Sequence, residues 1–497
     1  MILARNYGEE KFNPRFFSAK IPANFPFQIS EKFAQNWEKI ADDFSATRKN
    51  FWSEFEIFSR ETLRENFKIL DAGCGNGRAF PFFVRKNCQV FGIDRSKNLV
   101  KIAREKFPDS KIFCEKMEEN WDFFEPEFFD AIWSIASFHC LEKNFAREKF
   151  LQNAHRVLKK NGKIAISVWN LNQKKFRKFR RFFRPREFEI PFGDAKIPRF
   201  YFQFCEKSLR GILEKNFFEI EKIFHSPQKR NLCAIARKVS RRKICGVNFD
   251  IFSRKTAVEK FEKIARGDSA NFLATPNPEF CVAASTDLKF KKLLRQTKIN
   301  FTDGIGILWA EKFRGKNFFA AIFSLVKFFF ARKNRGVWQT ATGVFLFQNF
   351  CENSADEKTP VFLLGGAGDS AECAARKLRA KNSKLRIVGT DAGSAEIFDE
   401  KRICEKVKKS GARVLFVAFG ARRQEFWIAR NLPKLPEVRL AIGVGGAFDF
   451  IAGKIARAPR IFQKLGIEFF WRLLRQPQRF FRIYRATIKF ANLLRLQ

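Results

Sequence analysis

The chain has 497 residues, of which 45% are hydrophobic and 16% aromatic, enough for two or three domains with sizeable cores. Its formal charge of +43 suits nucleic acid, an anionic membrane surface or phosphorylated substrates, and does not choose among them. The 11 cysteines include no CxxC pair and, with 3 histidines, make no ligand set, which argues against structural zinc and for a reducing compartment. Phenylalanine, at 66 residues against 3 Tyr and 2 Met, reflects a compositional bias, so a single Phe carries little functional weight. No long apolar run opens the chain, and residues 318–330 are too short to span a bilayer and are broken by Lys327. The expectation is a cytoplasmic chain, soluble or peripheral at the membrane face.

Residues 1–30 are polar and contain proline, an irregular lead. Helical spacing over 29–64 puts Trp37, Ile40, Ala41 and Phe44 on one stripe, suited to covering a sheet edge or capping a ligand. At 67–77, FKILDAGCGNG brings a short apolar run to Asp71 and then Gly73, Gly75 and Gly77 at alternate positions. Glycines there let backbone approach a ligand with no side chain between. A second apolar run, 89–93, ends in Asp94, placed to accept from ribose hydroxyls. Strand, glycine loop, helix and a second strand ending in an acid indicate a nucleoside-containing cofactor. A helix at 97–107 and a strand at 111–114 follow, with Glu115 and Met117 where a third strand would end beside an adenine. Strands at 129–135 and 163–169, with a helix end and turn at 157–162, complete an α/β order. Residues 173–188 hold eight Lys/Arg with interleaved Phe, suited to phosphates and stacked bases, or simply a solvated loop.

On LDAGCGNGR, GIDRS, FFDAIWSIASFHCL and RVLKKNGKIAISVW, residues 30–238 resemble class I S-adenosylmethionine-dependent methyltransferases. NWEKIADDFSATRKNFW and IPRFYFQFCEKSL resemble, within that superfamily, the tRNA wobble-uridine carboxymethyl methyltransferases. The resemblance implies that Asp71, Gly73, Gly75 and Gly77 hold the methionine part of S-adenosylmethionine, Asp94 the ribose, and Glu115 with Met117 the adenine. It implies tRNA as a partner. Two departures stand out: the paired histidines of that subgroup are His139 and Cys140 here, and its RYYH-like patch is Arg199, Phe200, Tyr201, Phe202.

Residues 227–239 close the first unit (1–239), and 240–246 have the look of a linker to a second unit, 247–497. That unit repeats an α/β pattern: strands at 272–274, 300–302, 361–364, 386–388, 414–419 and 439–442 each end in Gly or polar residues before a helix. All the loops would gather at one sheet edge, where open α/β sheets bind ligands. Gly365 and Gly366 could cradle a diphosphate.

ATPNPEF, FTDGIGILWA, VFLLGG, RIVGT, FGARRQEFWI, IGVGGAFDFIAGKIARAPR and LGIEFFWRLLRQPQRFFR resemble the WecG/TagA/CpsF glycosyltransferase family across 245–487. The resemblance implies transfer of an N-acetylmannosamine-type sugar from a UDP donor to a lipid-diphosphate-linked acceptor, in cell-surface polysaccharide synthesis. An inverting transfer needs a carboxylate to take the acceptor's proton, and Asp303 is the choice. Thr275 and Asn277 could position substrate, and Gln424, Arg423 and Glu425 would contact the nucleotide sugar together with Gly365, Gly366, Gly445 and Gly446. No DxD occurs in this half, so no metal is expected. Here 316–334 looks inserted, Phe345 stands where the family has an acid, and Ser394 replaces an aromatic residue. Residues 454–497 carry eleven Lys/Arg and one acid, with Arg472, Arg475, Arg479 and Arg482 at helical spacing, a basic amphipathic segment suited to a lipid diphosphate and anionic lipid.

Together these features predict two Rossmann-like α/β domains, a methyltransferase and a glycosyltransferase. Two alternatives stay open: the first half methylates a glycan or lipid-linked sugar of the same pathway, or one half is an inactive RNA- or membrane-tethering module. The sequence leaves oligomeric state open, a homo-oligomer included.

Overall fold

The computed structural model describes residues 28–47, 50–313, 336–354, 359–455, 471, 477 and 480–495. The lead before residue 28, the inserted 316–334 and most of the basic segment, with Arg472, Arg475 and Arg479, lie outside the described residues.

The stretch expected as one long helix is three: α1 (Gln28–Lys39), α2 (Ala41–Ala46) and α3 (Ser53–Thr62). The chain breaks before α3 because Trp52 is extended, at φ −93° and ψ 147°. That turn lets α3 press Phe55 and Phe58 onto the sheet, where Trp133 meets Phe58 at 5.5 Å, while α1 and α2 lie elsewhere. Strands β1 (Lys68–Ala72), β2 (Gln89–Asp94), β3 (Lys111–Cys114), β4 (Phe129–Ile135) and β5 (Leu158–Trp169) are interleaved with helices α4 (Phe80–Val84), α5 (Lys97–Lys106) and α6 (Asn144–Val157). Residues 158–162, expected as a turn, belong to β5; Asn161 takes a positive φ of 61° within it, so the turn survives as a kink.

The basic segment is no loop. It forms a short 3-10 turn and then an antiparallel sheet of β6 (Arg180–Arg181), β7 (Arg184–Phe192) and β8 (Ile197–Phe202). Phe188, Ile190 and Tyr201 give that sheet its own small core. After α7 (Glu206–Lys215), β9 (Phe218–His225) and β10 (Asn231–Lys238) complete a seven-stranded sheet in the order β3-β2-β1-β4-β5-β10-β9. The first five strands are parallel, and β10 is antiparallel to both its neighbours, β5 and β9. The order reverses between β1 and β4, so the loops after these two strands open a crevice.

The segment expected as a linker is a hairpin. β11 (Arg241–Ile244) pairs with β12 (Val247–Asp250) around Cys245 and Gly246, both at positive φ (47° and 79°), the two-residue turn whose twist suits paired strands. Ile244, Cys245, Val247 and Phe249 are buried in the core of the second half. Helix α8 (Arg254–Ala265) follows, then β13 (Asn271–Ala274), α9 (Pro278–Thr286), β14 (Ile299–Asn300), β15 (Val361–Gly365), β16 (Ile387–Asp391), β17 (Val414–Ala418) and β18 (Leu440–Gly443). These six strands form an all-parallel sheet, β14-β13-β18-β17-β15-β16, so their loops do share one edge.

The halves touch through charge and rings. Lys260 meets Glu127 at 2.5 Å, Lys263 meets Glu125 at 3.4 Å, Arg156 meets Glu259 at 3.8 Å, and Lys255 pairs with Asp122. Phe217 of the first half packs edge-on against Trp338 of the second, centroids 5.6 Å apart. Among the described residues no helix is long and apolar enough to cross a membrane.

Candidate functional site

In the first half the glycine loop grows directly from β1. Gly73, Gly75 and Gly77 all take positive φ (79°, 54° and 77°). At Gly73 a Cβ would lie 2.3 Å from Ser137 Cβ and 3.1 Å from the Met117 sulfur, so the loops after β1 and β4 cross with no room for a side chain. Ser137 fixes that crossing by donating its hydroxyl to the Ala72 carbonyl at 2.8 Å. Asp94 receives the Gly75 and Ser96 amides, each at 2.9 Å, on its two carboxylate oxygens. Its first task is therefore to brace the loop, and burial raises its pKa while those two amides oppose the rise.

Asp71 is 2% exposed, and its Oδ1 has no hydrogen-bond partner among the described residues. Burial pushes its carboxyl up to about 7, with the charge of Asp94 adding and that of Arg78 opposing. A buried acceptor of this kind fits the ammonium group of S-adenosylmethionine, the ligand the sequence resemblance implies. Glu115 is exposed at the end of β3, its amide held by the Asp94 carbonyl at 3.0 Å, and Met117 is buried beneath the loop.

Helices α1 and α2 close over this edge. Glu38 accepts the Lys97 amide at 2.6 Å, the Asn98 amide at 3.1 Å and the Ser96 hydroxyl at 3.1 Å, capping α5. Asn76 of the loop donates to the Ser45 hydroxyl at 3.0 Å, and Asn36 donates to the Pro198 carbonyl at 2.8 Å. The helices thus bridge the glycine loop and the sheet of β6–β8, which favours the cap reading of their sequence. Behind them, His139 is fully buried and stacks on Tyr201 (5.1 Å), which stacks on Trp169 (4.7 Å). Burial, with the nearby charge of Arg199, pulls His139 down to about 3. Sequence reading passed over Ser137 and Glu38; the residues they meet lie far away in the chain.

In the second half Thr275, after β13, is buried and donates to the Gly443 carbonyl of β18 at 3.4 Å. The Asp303 amide donates to the Pro276 carbonyl at 3.0 Å, which brings the proposed base beside Thr275. Asn277 has another occupation: it caps α9, its side chain accepting the Phe280 amide at 3.0 Å. Gln424 and Glu425 do not line an open surface but are 3% and 0% exposed. Gln424 donates to Glu425 Oε1 at 2.7 Å and accepts the Gly445 amide at 3.1 Å, while Glu425 Oε2 accepts the Arg422 amide at 2.7 Å. Together they stitch the loops after β17 and β18. Gly443 is required because a Cβ would fall 2.3 Å from Gln424 Nε2 and 2.5 Å from Glu425 Oε1. Burial pushes the Glu425 carboxyl up to about 7 against the bonds it accepts.

Arg423 is exposed and bonds only weakly back to the Phe419 carbonyl, at 3.3 Å. Gly365 packs on Ala418, and Gly366 donates its amide to the Ala418 carbonyl at 3.1 Å, so the loop after β15 leans on β17. Gly446 caps the helix Ala447–Ala452. Phe345 packs against the core, with the Arg254 guanidinium 5.2 Å from its ring. Arg482 pairs with Glu279 in the first turn of α9 at 2.9 Å, so its charge is already partnered within the fold. Thr275, Asp303, Gln424, Glu425 and Gly445 are brought to one edge of the sheet.

A model described as a methyltransferase domain matches residues 70–166. Solved structures similar to the chain include a SAM-dependent methyltransferase from Methanosarcina mazei, 20% identical, covering 38% of this chain and 99% of that one with a TM-score of 0.33. A 1,6-didemethyltoxoflavin-N1-methyltransferase from Burkholderia thailandensis is 18% identical, covering 44% and 92% with a TM-score of 0.34. A TehB-like SAM-dependent methyltransferase from Corynebacterium glutamicum is 22% identical, covering 43% and 99% with a TM-score of 0.29. A model of the glycosyl transferase WecG/TagA/CpsF family matches residues 242–335 and 324–497, more than half of the chain. The chain is a transferase fusion that carries a methyltransferase domain in its first half and belongs, by its second, to the glycosyl transferase WecG/TagA/CpsF family.

Proposed function

We propose that the first half uses S-adenosylmethionine to methylate the carboxymethyl group of a wobble uridine in tRNA. The second half, in this reading, transfers an N-acetylmannosamine-type sugar from a UDP donor to a lipid-diphosphate-linked acceptor at the cytoplasmic face of the membrane. When bound, S-adenosylmethionine supplies an electrophilic methyl group. Asp71 and the amides of the glycine loop would hold it, and α1 and α2 would exclude water.

The observation that supports RNA is the β6–β7 hairpin. Phe182 and Phe183 at its tip are 91% and 90% exposed, flanked by Arg180, Arg181 and Arg184. Exposed rings between cations suit stacked bases and phosphates. Incubation with labelled S-adenosylmethionine and either bulk tRNA or a lipid-linked glycan extract tests the assignment. Label in the RNA pool is expected, and label in neither pool removes methyl transfer as the function. Packing of the two halves through four cross-half ion pairs favours a second reading, methylation of the glycan itself, and label confined to that pool would establish it.

For the second half, Asp303 takes the proton from the acceptor hydroxyl, with Thr275 and Gln424 holding the neighbouring loops. Asp303→Asn should lower UDP release with lipid-linked acceptor by at least ~100-fold; unchanged turnover would remove Asp303 as the base. Flotation with anionic vesicles, with and without residues 456–497, tests the membrane assignment.

A further inference from the structure

The two halves enclose a cavity of about 200 Å³ whose walls contain none of the residues assigned to either transfer. Helix α6 and the end of β10 wall it on one side, the start of α8 and residues 336–339 on the other. It lies at the edge of the first sheet away from the glycine loop. Lys238, the last residue of β10, donates to the carbonyl of Leu158, the first residue of β5, at 2.6 Å. The glycine loop instead follows the last residue of β1, which runs parallel to β5 through β4.

Five cations, Lys149, Arg156, Lys238, Lys255 and Lys260, line the cavity against a single carboxylate, Asp122. Asp122 pairs with Lys255. Two further carboxylates stand behind the wall: Glu127 meets Lys260 at 2.5 Å and Lys238 at 4.0 Å, and Glu259 meets Arg156 at 3.8 Å. Lys149 makes no ion pair among the described residues, and His155 is held neutral by burial. Lys238 is 4% exposed, and burial pushes its ammonium down to about 7, with Glu127 opposing and Lys260, Lys160 and Arg156 adding. Burial lowers Lys149 too, with Asp122 opposing and Lys255 and Arg156 adding. Burial raises the Glu259 carboxyl, which blunts one of the three acids; Glu262 adds to that rise. The wall also includes Ser253, Lys255 and Thr256 at the start of α8, a helix of 12 residues with no acid in its first turn. The positive end of its dipole therefore adds to the cations.

We infer that this cavity binds a phosphate dianion, as inorganic phosphate or a small phosphomonoester, and that the bound ion ties the two halves together. Five cations against three carboxylates leave two positive charges unmatched, close to the charge of a phosphate at neutral pH. Lysine ammonium groups and a helix N-terminus are the donors that phosphate oxygens accept from. A volume of about 200 Å³ far exceeds that of one water, about 30 Å³, yet falls below the roughly 300 Å³ at which sites for larger organic ligands begin. A phosphate group fits, and a whole nucleotide does not. Lys149 and Arg156 come from one half, Lys255 and Lys260 from the other, so the ion binds only the docked arrangement and stabilises it by mass action.

Full-length chain is titrated by calorimetry with inorganic phosphate and with glycerol phosphate, in potassium chloride of matched ionic strength, with and without saturating UDP. The thermal unfolding midpoint is followed in parallel. Saturable binding that UDP does not displace is expected, with a midpoint above that in chloride alone. Lys149→Gln removes the cation that has no ion pair to lose, so its midpoint in chloride should match that of the native chain. It should weaken phosphate binding ~10-fold or more, while Lys149→Arg stays within ~3-fold. Lys289→Gln, an equal loss of charge at an exposed position of the second half, should leave binding unchanged. Whichever of the two phosphates binds tighter identifies the natural source as the free ion or an ester. Equal midpoints in phosphate and chloride, undiminished binding by Lys149→Gln, or equal weakening by Lys289→Gln would each overturn the inference. Displacement by UDP would also overturn it, and would assign the phosphate to the nucleotide-sugar loops.

Discussion

Replacing Gly73 with alanine would drive a methyl group into the place where two strand-end loops cross. The new Cβ would lie 2.3 Å from Ser137 Cβ, whereas non-bonded carbons rest about 3.5–4.0 Å apart. Its φ of 79° adds a backbone cost of about 1–2 kcal/mol for an L side chain. Relieving the overlap costs about 1–3 kcal/mol more, as in other overpacked sites. The sum, roughly 2–5 kcal/mol, falls on the loop rather than on the core around it. Since a factor of ten in affinity is about 1.4 kcal/mol, S-adenosylmethionine binding by Gly73→Ala should weaken at least ~30-fold in calorimetry. Adding Ser137→Gly removes the colliding atom and should recover the overlap portion, ~10-fold, leaving the backbone portion in place. Single and double variants that both bind within ~3-fold of the native chain would refute the argument, and so would a double variant that recovers nothing.

In the second half, Asn277→Ala should lose about 1 kcal/mol of stability in urea unfolding, whereas Asn277→Asp, which keeps the cap acceptor, should not. Equal losses would mean that the cap is not what Asn277 supplies. The Glu425 carboxyl titrates at about 7 in the fold, against an ordinary glutamate value of 4.5. The folded chain then holds more protons than the unfolded one between these values, so stability falls as pH rises across that window, by about 3 kcal/mol in all. Glu425→Gln should flatten this component, seen as a smaller difference between unfolding midpoints at pH 5 and pH 8 than the native chain shows; identical differences would contradict it. Arg482→Ala breaks a half-exposed ion pair with Glu279, for a stability loss under about 1 kcal/mol. Because that charge is already partnered, vesicle flotation should fall less than 2-fold, and a larger drop would return Arg482 to the membrane-facing set.

Strands β2, β3 and β4 were legible to the residue because each apolar run is bounded by polar residues, and β2 stops at an aspartate. All six strands of the second sheet were located, since buried parallel strands are short runs of Val, Leu, Ile and Phe, but their ends shifted: 300–302 is Ile299–Asn300 and 386–388 is Ile387–Asp391 in the fold. What was hidden depended on pairing. The hairpin of β11 and β12 turns on Cys245-Gly246, and cysteine gives none of the turn signal that Asn or Asp would. The sheet of β6–β8 was masked by its arginines, whose alternation does not separate an inner from an outer face until Phe188, Ile190 and Tyr201 are seen to pack together. Gln424 and Glu425 were singled out as nucleotide-sugar contacts, but their motif could not show that they face each other and the Gly445 amide rather than open solvent. Arg199 was noticed only as part of a patch, because Trp37, one of its walls, comes from a helix more than 160 residues earlier.

Trp338 gives the contact between the halves a consequence for how the chain can be divided. One side of its indole meets Phe217 of the first half; its ring nitrogen donates to the Thr302 hydroxyl at 2.7 Å, and Thr302 is the residue before Asp303. Phe217 therefore stands two side chains from the residue assigned to glycosyl transfer. Cleaving the polypeptide at 240–246 would sever β11 from the core that buries it, and cleaving upstream would still leave the Trp338 ring without its neighbour. The two halves are not cargo and carrier on a string: the methyltransferase half packs, through Phe217, on the ring that holds Thr302 beside the proposed base.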